Sequence, residues 1–210
     1  MQDFPDFSFE MAAIVRGAVR VAGVDEVGRG PLAGPVTAAA VRLDPLRVPA
    51  GLRDSKVLTA NRREALAAEL HLVAEVAIAH ASVEEIDALN ILRASHLAME
   101  RAVGMLGAMD HVLIDGNMIP KGLAGRAEAV VKGDAKCLSI AAASIVAKVA
   151  RDRIMVDLAQ QFPGYGWERN AGYGVPAHLH ALQVLGVTPW HRRSFAPIHK
   201  MLYQDISLTP

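Results

Sequence analysis

VAGVDEVGRGPLAGPVTAAAV, residues 21–41, is the stretch that decides the fold of this chain. An apolar run leads into two adjacent acids, Asp25 and Glu26, and a Gly-Arg-Gly turn with two prolines follows. Residues 36–41 are apolar again and have the length of a strand. The pattern predicts a strand, a sharp turn and a second strand, with two carboxylates at the end of the first strand. An acid pair alone is more often an exposed turn than a site, so the interpretation depends on the glycines.

Three interpretations of the glycine turn Gly28–Gly34 compete. A dinucleotide-binding loop requires a helix that begins inside the loop, whereas Pro31, Pro35 and the valines after them predict a strand. An ordinary hairpin needs no ligand. An anion site would combine bare backbone N–H groups with Arg29. Acids beside a bound phosphate require a divalent cation between them, so this third interpretation predicts phosphoryl-transfer chemistry.

Two further acids, Asp115 and Asp134, each follow an apolar run of strand length and lie beside a glycine. Open α/β sheets form their ligand sites at the C-terminal edges of the strands, so both acids are expected near Asp25 and Glu26. Each acid alone is a common turn residue. One shared site accounts for all four positions together, and clustered carboxylates of this kind favour bound Mg²⁺ or Mn²⁺.

The motifs of the chain resemble those of the bacterial ribonuclease HII family, in the family's order and from residue 21 to residue 200. The signature is the Asp-Glu-Val-Gly-Arg-Gly-Pro run that begins at Asp25. The other matching motifs are Asp54-Ser55-Lys56, Ile86-Asp87-x-Leu89-Asn90-Ile91, Leu113-Ile114-Asp115-Gly116-Asn117, Val131-Lys132-Gly133-Asp134, Ala141-Ala142-Ala143-Ser144-Ile145, Lys148 with Arg151-Asp152, Gly172-Tyr173 and His191-Arg192-Arg193-Ser194-Phe195. The related ribonuclease HIII type differs, because it carries Thr in place of Arg29.

The resemblance implies the ribonuclease H-like α/β fold, a mixed five-stranded sheet flanked by helices with a helical C-terminal part. It implies an endonuclease for RNA in RNA–DNA hybrids that also nicks 5′ of single ribonucleotides in duplex DNA, with roles in DNA repair and replication. The products that the resemblance implies are a 3′-hydroxyl and a 5′-phosphate. The catalytic acids, which also bind two metal ions, are then Asp25, Glu26, Asp115 and Asp134. A non-catalytic nucleotide- or phosphate-binding domain using Gly28–Gly34 is the alternative.

Substrate-binding residues are expected around these acids. Gly28, Arg29 and Gly30 are expected to detect the ribose 2′-hydroxyl, because bare glycine backbone can approach a sugar closely. The resemblance implies that Tyr173 stacks on the next sugar at the RNA–DNA junction; the alternative is a core-plugging ring. Three cations are expected to clamp phosphates, with a solvated basic loop as the alternative for the last two: Lys56, Arg192 and Arg193.

Asp152 competes with Asp134 for the fourth acid position. Lys148 stands four residues before Asp152, which is the spacing of an ion pair along a helix. We therefore expect Asp152 to pair with Lys148 and Asp134 to be the metal ligand.

Composition limits the class of protein. The 210 residues are 52% hydrophobic, and equal numbers of acidic and basic residues give a formal net charge of zero. One α/β domain is expected at this length, with residues 1–18 leading into a catalytic domain at 19–210 whose helical C-terminal part covers about 163–205. Neutrality argues against extended non-specific contact with nucleic acid and favours short cationic clusters at the phosphates.

Location and partners are limited by the ends of the chain and by its cysteine content. No apolar run reaches the ~18 residues that span a bilayer, and the acidic N-terminus lacks the basic region of a signal peptide. The single cysteine, Cys137, fits a reducing compartment. We expect a cytoplasmic monomer that binds duplexes and no membrane. Residues 204–208 weakly resemble tails that bind a sliding clamp, but a frayed terminus is the simpler expectation.

Periodicity and capping residues predict the remaining elements. Thr59 is expected to cap a helix, and Ser82 with Glu85 to form a capping box. The predicted strands are 16–26, 36–43, 73–81, 111–114 and 127–131. The longer predicted helices are 90–106 and 138–161, and Pro176 begins another. The residues expected on the buried side of helix 90–106 are Leu92, His96 or Leu97, and Met99 or Val103.

Overall fold

A computed structural model describes residues 4–203 of the chain. The strands are β1 (Val21–Val27), β2 (Val36–Arg42), β3 (Glu75–Ala81), β4 (His111–Asp115) and β5 (Ala127–Val130). The α-helices in this part of the chain are α1 (Ser8–Val15), α2 (Ala60–Val73), α3 (Val83–Leu89), α4 (Ile91–Met105), α5 (Leu138–Gln161), α6 (Trp167–Asn170), α7 (Pro176–Leu185) and α8 (Ala196–Tyr203). The predicted clamp-binding tail at 204–208 lies outside the described residues.

The strands form one mixed sheet in the order β3-β2-β1-β4-β5. β1 pairs antiparallel with β2 and parallel with β4, and β4 pairs parallel with β5. Three neighbouring strands therefore end at the same edge of the sheet. The predicted five-stranded mixed sheet is confirmed, and its topology is what brings distant acids together.

Helices cover both faces of the sheet. α4 packs on one face and α5 on the other, since successive strand residues alternate between the faces. Close approach of α5 depends on Gly23 in β1. A Cβ atom added at Gly23 would lie 2.2 Å from the backbone carbonyl carbon of Ser139, so a larger residue would push α5 off the sheet.

The buried side of α4 differs in part from the prediction. Leu92, His96 and Leu97 are only half buried. The buried residues are Ala94, Ser95, Ala98, Met99, Ala102 and Val103. The facing strand β2 presents Ala38 and Ala40 to α4, and two surfaces of small side chains can approach closely.

Local capping chemistry places most other elements where the sequence predicts them. Thr59 accepts a hydrogen bond from the backbone N–H of Arg62, and both bonds of the Ser82–Glu85 capping box are present. α5 has the predicted bounds, and α7 begins at Pro176. β1 is shorter than predicted, because the chain turns between α1 and residue 21.

The N-terminal segment forms α1 and docks against the start of α5. Glu10 is buried, and its Oε1 accepts a hydrogen bond of 2.7 Å from the backbone N–H of Ser139. Asp6 forms two backbone hydrogen bonds at the start of α5, from its own N–H to the carbonyl of Lys136 and from the N–H of Leu138 to its carbonyl. The segment therefore supports the turn that carries Asp134.

The helical C-terminal part packs beside the Gly28–Gly34 turn. Its own apolar cluster contains the buried Trp167 and reaches Leu32 and Ala33 of the turn. This packing places α7 and the following loop next to the sheet edge where the acids lie. None of the helices in residues 4–203 combines the length and the hydropathy needed to cross a bilayer.

Candidate active site

Three carboxylates meet at the sheet edge where β1 and β4 end. Asp25, Asp115 and Asp134 each offer an oxygen atom, and these atoms all lie within 4.8 Å of one another. Asp25 and Asp134 are buried, whereas Asp115 is half buried. The parallel strands β1 and β4 deliver the first two, and a short 3₁₀ turn after β5 delivers the third. Asp25, Asp115 and Asp134, which are far apart in the sequence, thus form one group in the folded chain.

Backbone N–H groups orient two of these carboxylates. Asp25 Oδ1 accepts from the N–H of Glu26, and Asp115 Oδ1 accepts from the N–H of Gly133, both at 2.7 Å. A Cβ added at Gly133 would lie 2.6 Å from Cδ1 of Ile140 and 3.3 Å from Asp115 Oδ1. The absence of a side chain at Gly133 therefore allows its N–H to reach the aspartate.

Burial and mutual repulsion make this cluster unfavourable when it is fully ionised. Burial raises the pKa of Asp25 well above its ordinary value, and Glu26, Asp115 and Asp134 raise it further. Burial also raises the pKa of Asp134, with Asp115 adding to the shift. A divalent cation offsets such repulsion, and hard ions such as Mg²⁺ and Mn²⁺ take carboxylate oxygens as ligands. The donor set therefore fits a divalent metal site.

Glu26 lies at the border of the three-aspartate group. Neighbouring strand residues point to opposite faces, so Asp25 lies on the α5 face and Glu26 on the α4 face. Glu26 Oε1 is 3.3 Å from Nη1 of Arg29, and Glu26 lines a cavity of about 190 Å³ with Asp115 and His96. Burial raises the pKa of Glu26, and Arg29 opposes that rise. Three of the four predicted ligands are thus close together, and the fourth faces an adjoining cavity.

Lys56 is a cation in direct contact with this group. Its Nζ lies 3.2 Å from Asp134 Oδ2 and 3.7 Å from Asp54 Oδ1, while its side chain is 77% exposed. Burial lowers the pKa of Lys56, but Asp134 and Asp54 raise it more, so the net pKa lies above the ordinary value. The amine is therefore charged at neutral pH and accessible to a phosphate.

The Gly28–Gly30 turn is buried at one end and open at the other. Gly28 is buried with φ +93°, and an added Cβ would lie 2.1 Å from Nε of Arg151. Only glycine fits that position. Arg29 and Gly30 are exposed, and within residues 4–203 their backbone N–H groups have no hydrogen-bond acceptor. The open end of the turn can therefore donate to a substrate.

Arg192 contacts the buried side of this turn and is itself fully buried, with 0% exposure. Its guanidinium donates to four carbonyl oxygens, those of Gly28 (2.6 Å), Arg29 (3.0 Å), Gly34 (2.9 Å) and Pro35 (3.2 Å). Burial lowers its pKa to about 9, which still leaves it charged at neutral pH. This position does not fit the expected phosphate clamp, because carbonyl groups enclose the cation. Arg192 instead fixes the shape of the turn.

Arg151 supports the same turn from α5. It is fully buried and donates to the carbonyl oxygens of Ala33, Pro35 and Ala171, at 3.0 to 3.1 Å. This role of Arg151 is not predicted from the sequence. The sequence signal for this role is an arginine within helix 138–161, which is rich in small residues. If that side chain is buried, its guanidinium requires hydrogen-bond acceptors.

Arg193 and Tyr173 are the exposed residues on the other side of the turn. The backbone N–H of Arg193 donates to Asp87 Oδ2 at 3.0 Å, and its side chain is exposed. Tyr173 is 46% exposed, and its Cε1 would lie 3.3 Å from a Cβ added at Gly30. Its ring therefore lies over the open end of the turn. Both positions are compatible with the substrate contacts expected from the sequence.

Asp152 forms the predicted ion pair. Its Oδ1 lies 2.7 Å from Nζ of Lys148, four residues earlier on α5. Asp152 is not part of the three-aspartate group. This arrangement favours Asp134 as the functional acid.

Asp134→Asn is expected to lower kcat by ~10²-fold or more, the range for removing one charge-stabilising group from an active site. Asp152→Asn is expected to lower kcat about fivefold at most, because Asp152 lies outside the three-aspartate group and its ion pair with Lys148 contributes only ~1 kcal/mol to stability. Steady-state cleavage of a labelled RNA–DNA hybrid in Mg²⁺ measures both, with thermal unfolding as the control for folding. A larger loss for Asp152→Asn than for Asp134→Asn would reverse the assignment.

Comparison with known proteins identifies relatives over nearly the whole chain. The family model for ribonuclease HII matches residues 22–204. A ribonuclease HII of Cereibacter sphaeroides (strain KD131) is 70% identical over 207 residues, which cover 98% of each chain. Both findings agree with the resemblance seen in the motifs.

Solved structures give the same fold. The ribonuclease H2 of Pyrococcus horikoshii OT3 is 29% identical, with a TM-score of 0.76 over 90% of this chain and 100% of that chain. The ribonuclease HII of Archaeoglobus fulgidus, solved in complex with PCNA, is 29% identical, with a TM-score of 0.72 over 83% of this chain and 94% of that chain. The predicted ribonuclease H-like fold is thereby confirmed.

Proposed function

The chain belongs to the ribonuclease HII family, and we propose that its carboxylate site both hydrolyses the RNA strand of RNA–DNA hybrids and nicks duplex DNA 5′ of a single ribonucleotide. Family membership makes the chain a metal-dependent endoribonuclease, which sets aside a non-catalytic binding domain. The observation that carries the proposal is the convergence of Asp25, Asp115 and Asp134 within 4.8 Å, beside an exposed glycine turn. The proposed products carry a 3′-hydroxyl and a 5′-phosphate.

We propose Mg²⁺ or Mn²⁺ as the cofactor, held by Asp25, Asp115 and Asp134, with Glu26 completing the site from the adjoining cavity. Two such ions, when bound, would activate the attacking water and stabilise the leaving oxygen. The backbone N–H groups that fix two of the aspartates keep the carboxylates oriented before substrate arrives. Lys56, in contact with Asp134, is placed to hold a non-bridging oxygen of the phosphate.

The Gly28–Gly30 turn supports recognition of the ribose. A 2′-hydroxyl is both a donor and an acceptor, and it distinguishes RNA from DNA. The N–H groups of Arg29 and Gly30, which have no acceptor in the described part of the chain, can donate to it. The carbonyl of Arg29 retains a second lone pair beyond the bond from Arg192. Gly30 has no side chain to hold the sugar away. Gly28 itself is buried, so its contribution is the shape of the turn.

Tyr173→Ala and Arg29→Ala are expected to differ in substrate dependence. Tyr173→Ala should lower kcat/KM about tenfold more on a duplex with one ribonucleotide than on one with four, because aromatic stacking contributes ~1–3 kcal/mol. Arg29→Ala should lower both values, since it removes an exposed cation that we expect to hold the phosphate next to the ribose in both substrates. Cleavage kinetics on the two duplexes measure the difference. Tyr203→Ala, which alters another exposed tyrosine, is the matched control.

Equal losses for Tyr173→Ala on both duplexes would reduce Tyr173 to a packing residue. An unaltered kcat/KM for Arg29→Ala would remove Arg29 from the substrate site. Either result leaves the cleavage reaction itself standing, which a labelled RNA–DNA hybrid tests separately. We expect cleavage of that hybrid in Mg²⁺ and none in EDTA.

We further propose that the chain acts as a cytoplasmic monomer in DNA repair and replication. The proposed substrates support that role, and the single cysteine, Cys137, is buried and unpaired in the described residues. A sliding-clamp contact would depend on residues 204–208, outside the described part of the chain. It stays a sequence prediction, although the Archaeoglobus ribonuclease HII was solved with PCNA.

A further inference from the structure

A buried cluster of aromatic and histidine side chains lies directly behind Tyr173. His178 of α7 and His191 are both fully buried. Nε2 of His178 lies 3.1 Å from Nε1 of Trp167 and 3.1 Å from Nε2 of His191. The other ring nitrogen of His178, Nδ1, lies 2.9 Å from the carbonyl oxygen of Tyr173. The cluster thus connects the core of the C-terminal part to the backbone of an exposed residue at the candidate site.

The partners of His178 determine where its hydrogen lies. An indole N–H can only donate, so Nε2 of His178 accepts from Trp167 and carries a lone pair. The neutral ring then has its hydrogen on Nδ1, and this N–H donates to the Tyr173 carbonyl. Burial lowers the pKa of His178, which agrees with a neutral ring.

The partners of His191 determine where the hydrogen of its ring lies. Its Nδ1 accepts from the backbone N–H of Thr188 at 3.0 Å, and the Thr188 hydroxyl lies 2.9 Å from the same nitrogen. The hydrogen of the neutral ring then lies on Nε2 and points to His178, whose single lone pair on Nε2 is shared between this N–H and the indole N–H of Trp167. Burial lowers the pKa of His191 to about 4, with His178 lowering it further. Both rings are therefore neutral at physiological pH, each in one tautomer.

Tyr173 depends on its backbone for its position. The phenol oxygen has no hydrogen bond within residues 4–203, while the carbonyl oxygen accepts both from His178 and from the N–H of Val175 at 2.9 Å. The ring lies over Gly30. A shift of the Tyr173 carbonyl would therefore move the ring relative to the exposed end of the glycine turn.

We propose that His178 is a positioning residue for recognition of the RNA–DNA junction, because its Nδ1–H fixes the Tyr173 carbonyl and thereby the ring over Gly30. The inference rests on the proposed function, since it takes Tyr173 to contact the nucleotide beside the ribose. His178 is buried and contacts no substrate, so it acts only through Tyr173. The consequence is that substrate selectivity and protein stability depend on different nitrogen atoms of the same ring.

Two substitutions separate the two nitrogen atoms. In His178→Asn the side-chain amide can place its N–H near the position of Nδ1, which keeps the donor to Tyr173 and loses the acceptor for Trp167 and His191. In His178→Gln the amide oxygen reaches the position of Nε2, which keeps that acceptor and loses the donor to Tyr173. Both variants retain a polar amide of similar size at one buried position.

The measurement is kcat/KM on duplexes with one and with four ribonucleotides, together with the thermal unfolding midpoint. The selectivity ratio is kcat/KM on the one-ribonucleotide duplex divided by kcat/KM on the four-ribonucleotide duplex. We expect His178→Gln to lower this ratio roughly five- to tenfold, the effect of one hydrogen bond. We expect His178→Asn to keep the ratio within a factor of about two while lowering the unfolding midpoint more than His178→Gln does. His178→Gln then loses more selectivity, whereas His178→Asn loses more stability.

A merely structural role for His178 predicts the reverse, with selectivity following stability. A ratio lowered more in His178→Asn, or equally in both variants, overturns the proposal. In the Tyr173→Ala background His178→Gln should lower the ratio no further, because the residue acts through Tyr173. An additional loss of the same size in that background also overturns it.

Hydrogen exchange of the metal-free protein tests the positioning step without any cleavage. The Val175 amide donates to the Tyr173 carbonyl, so its exchange reports on that group. We expect roughly fivefold or faster exchange at Val175 in His178→Gln and a smaller change in His178→Asn. Equal exchange in the two variants contradicts the positioning role, whatever the substrates prove to be. Failure of wild-type protein to nick at a single ribonucleotide contradicts the proposed function instead.

Discussion

Asp25→Asn is expected to lower Mg²⁺-dependent cleavage by ~10³-fold while the protein stays folded. Asp25 is one of the two buried members of the three-aspartate group, and its carboxylate accepts a hydrogen bond from the backbone N–H of Glu26. An amide of the same shape preserves that packing but removes a negative charge that we propose holds a divalent ion. Cleavage of a labelled hybrid measures the loss, and Asp157→Asn, which alters an exposed acid of α5, is the matched control.

The same substitution is expected to stabilise the metal-free protein at neutral pH. The folded-state pKa of Asp25 is raised above its unfolded value, first by burial and then by Glu26, Asp115 and Asp134. An acid with a raised folded pKa destabilises the fold as pH rises above the unfolded pKa of ~4 towards the folded pKa. Wild-type stability in EDTA should fall through that window, and the fall should be smaller in Asp25→Asn.

Thermal unfolding in EDTA and in Mg²⁺ completes this test. Wild-type protein should gain stability from Mg²⁺, because an ion that binds only the folded state raises its free energy of unfolding. Asp25→Asn should gain less. Retention of more than about a tenth of the wild-type turnover, an effect smaller than ~1.4 kcal/mol, would remove Asp25 from the metal site.

Arg192→Ala is expected to lower the free energy of unfolding by roughly 3 kcal/mol or more, because a fully buried guanidinium is lost and four carbonyl acceptors lose their donor. The Gly28–Gly34 turn should lose its shape, so kcat/KM should fall as well. Arg193→Ala is a sharp control, since the adjacent arginine is exposed. It should change stability by about 0.5 kcal/mol or less.

Chemical denaturation of both variants measures this difference. Arg192→Lys should recover only part of the stability, because an ammonium group lacks the planar fork that reaches several carbonyls at once. If Arg192→Ala proves as stable as Arg193→Ala and only its KM rises, Arg192 is a phosphate contact after all and its buried role is incorrect.

The adjacent arginines show where prediction from the sequence ends. Arg192 and Arg193 share one basic loop, and nothing local separates the buried side chain from the exposed one. The acceptors of Arg192 lie 157 to 164 residues earlier in the chain, so only the tertiary fold distinguishes the two. His178 is a similar case, because its role depends on Trp167 and on the Tyr173 backbone.

Capping residues and strand patterns in the sequence predict much of the secondary structure, whereas they do not predict the tertiary contacts of Arg192 and His178. Thr59, Ser82 and Pro176 begin helices through capping and backbone constraints that act within one turn. The grouping of Asp25 with Asp115 also follows, because each acid ends a predicted strand. Strand alternation separates Glu26 from Asp25, but the sequence does not tell which face receives α5.

Product analysis with a duplex that contains one ribonucleotide tests the proposed function most directly. The labelled duplex is incubated with wild-type protein in Mg²⁺, in Mn²⁺ and in EDTA, and the product ends are mapped beside an all-DNA duplex. We predict one nick on the 5′ side of the ribonucleotide, with 3′-hydroxyl and 5′-phosphate ends, only when a divalent ion is present. Cleavage in EDTA, cleavage of the all-DNA duplex, or a cyclic phosphate end would contradict the proposed reaction.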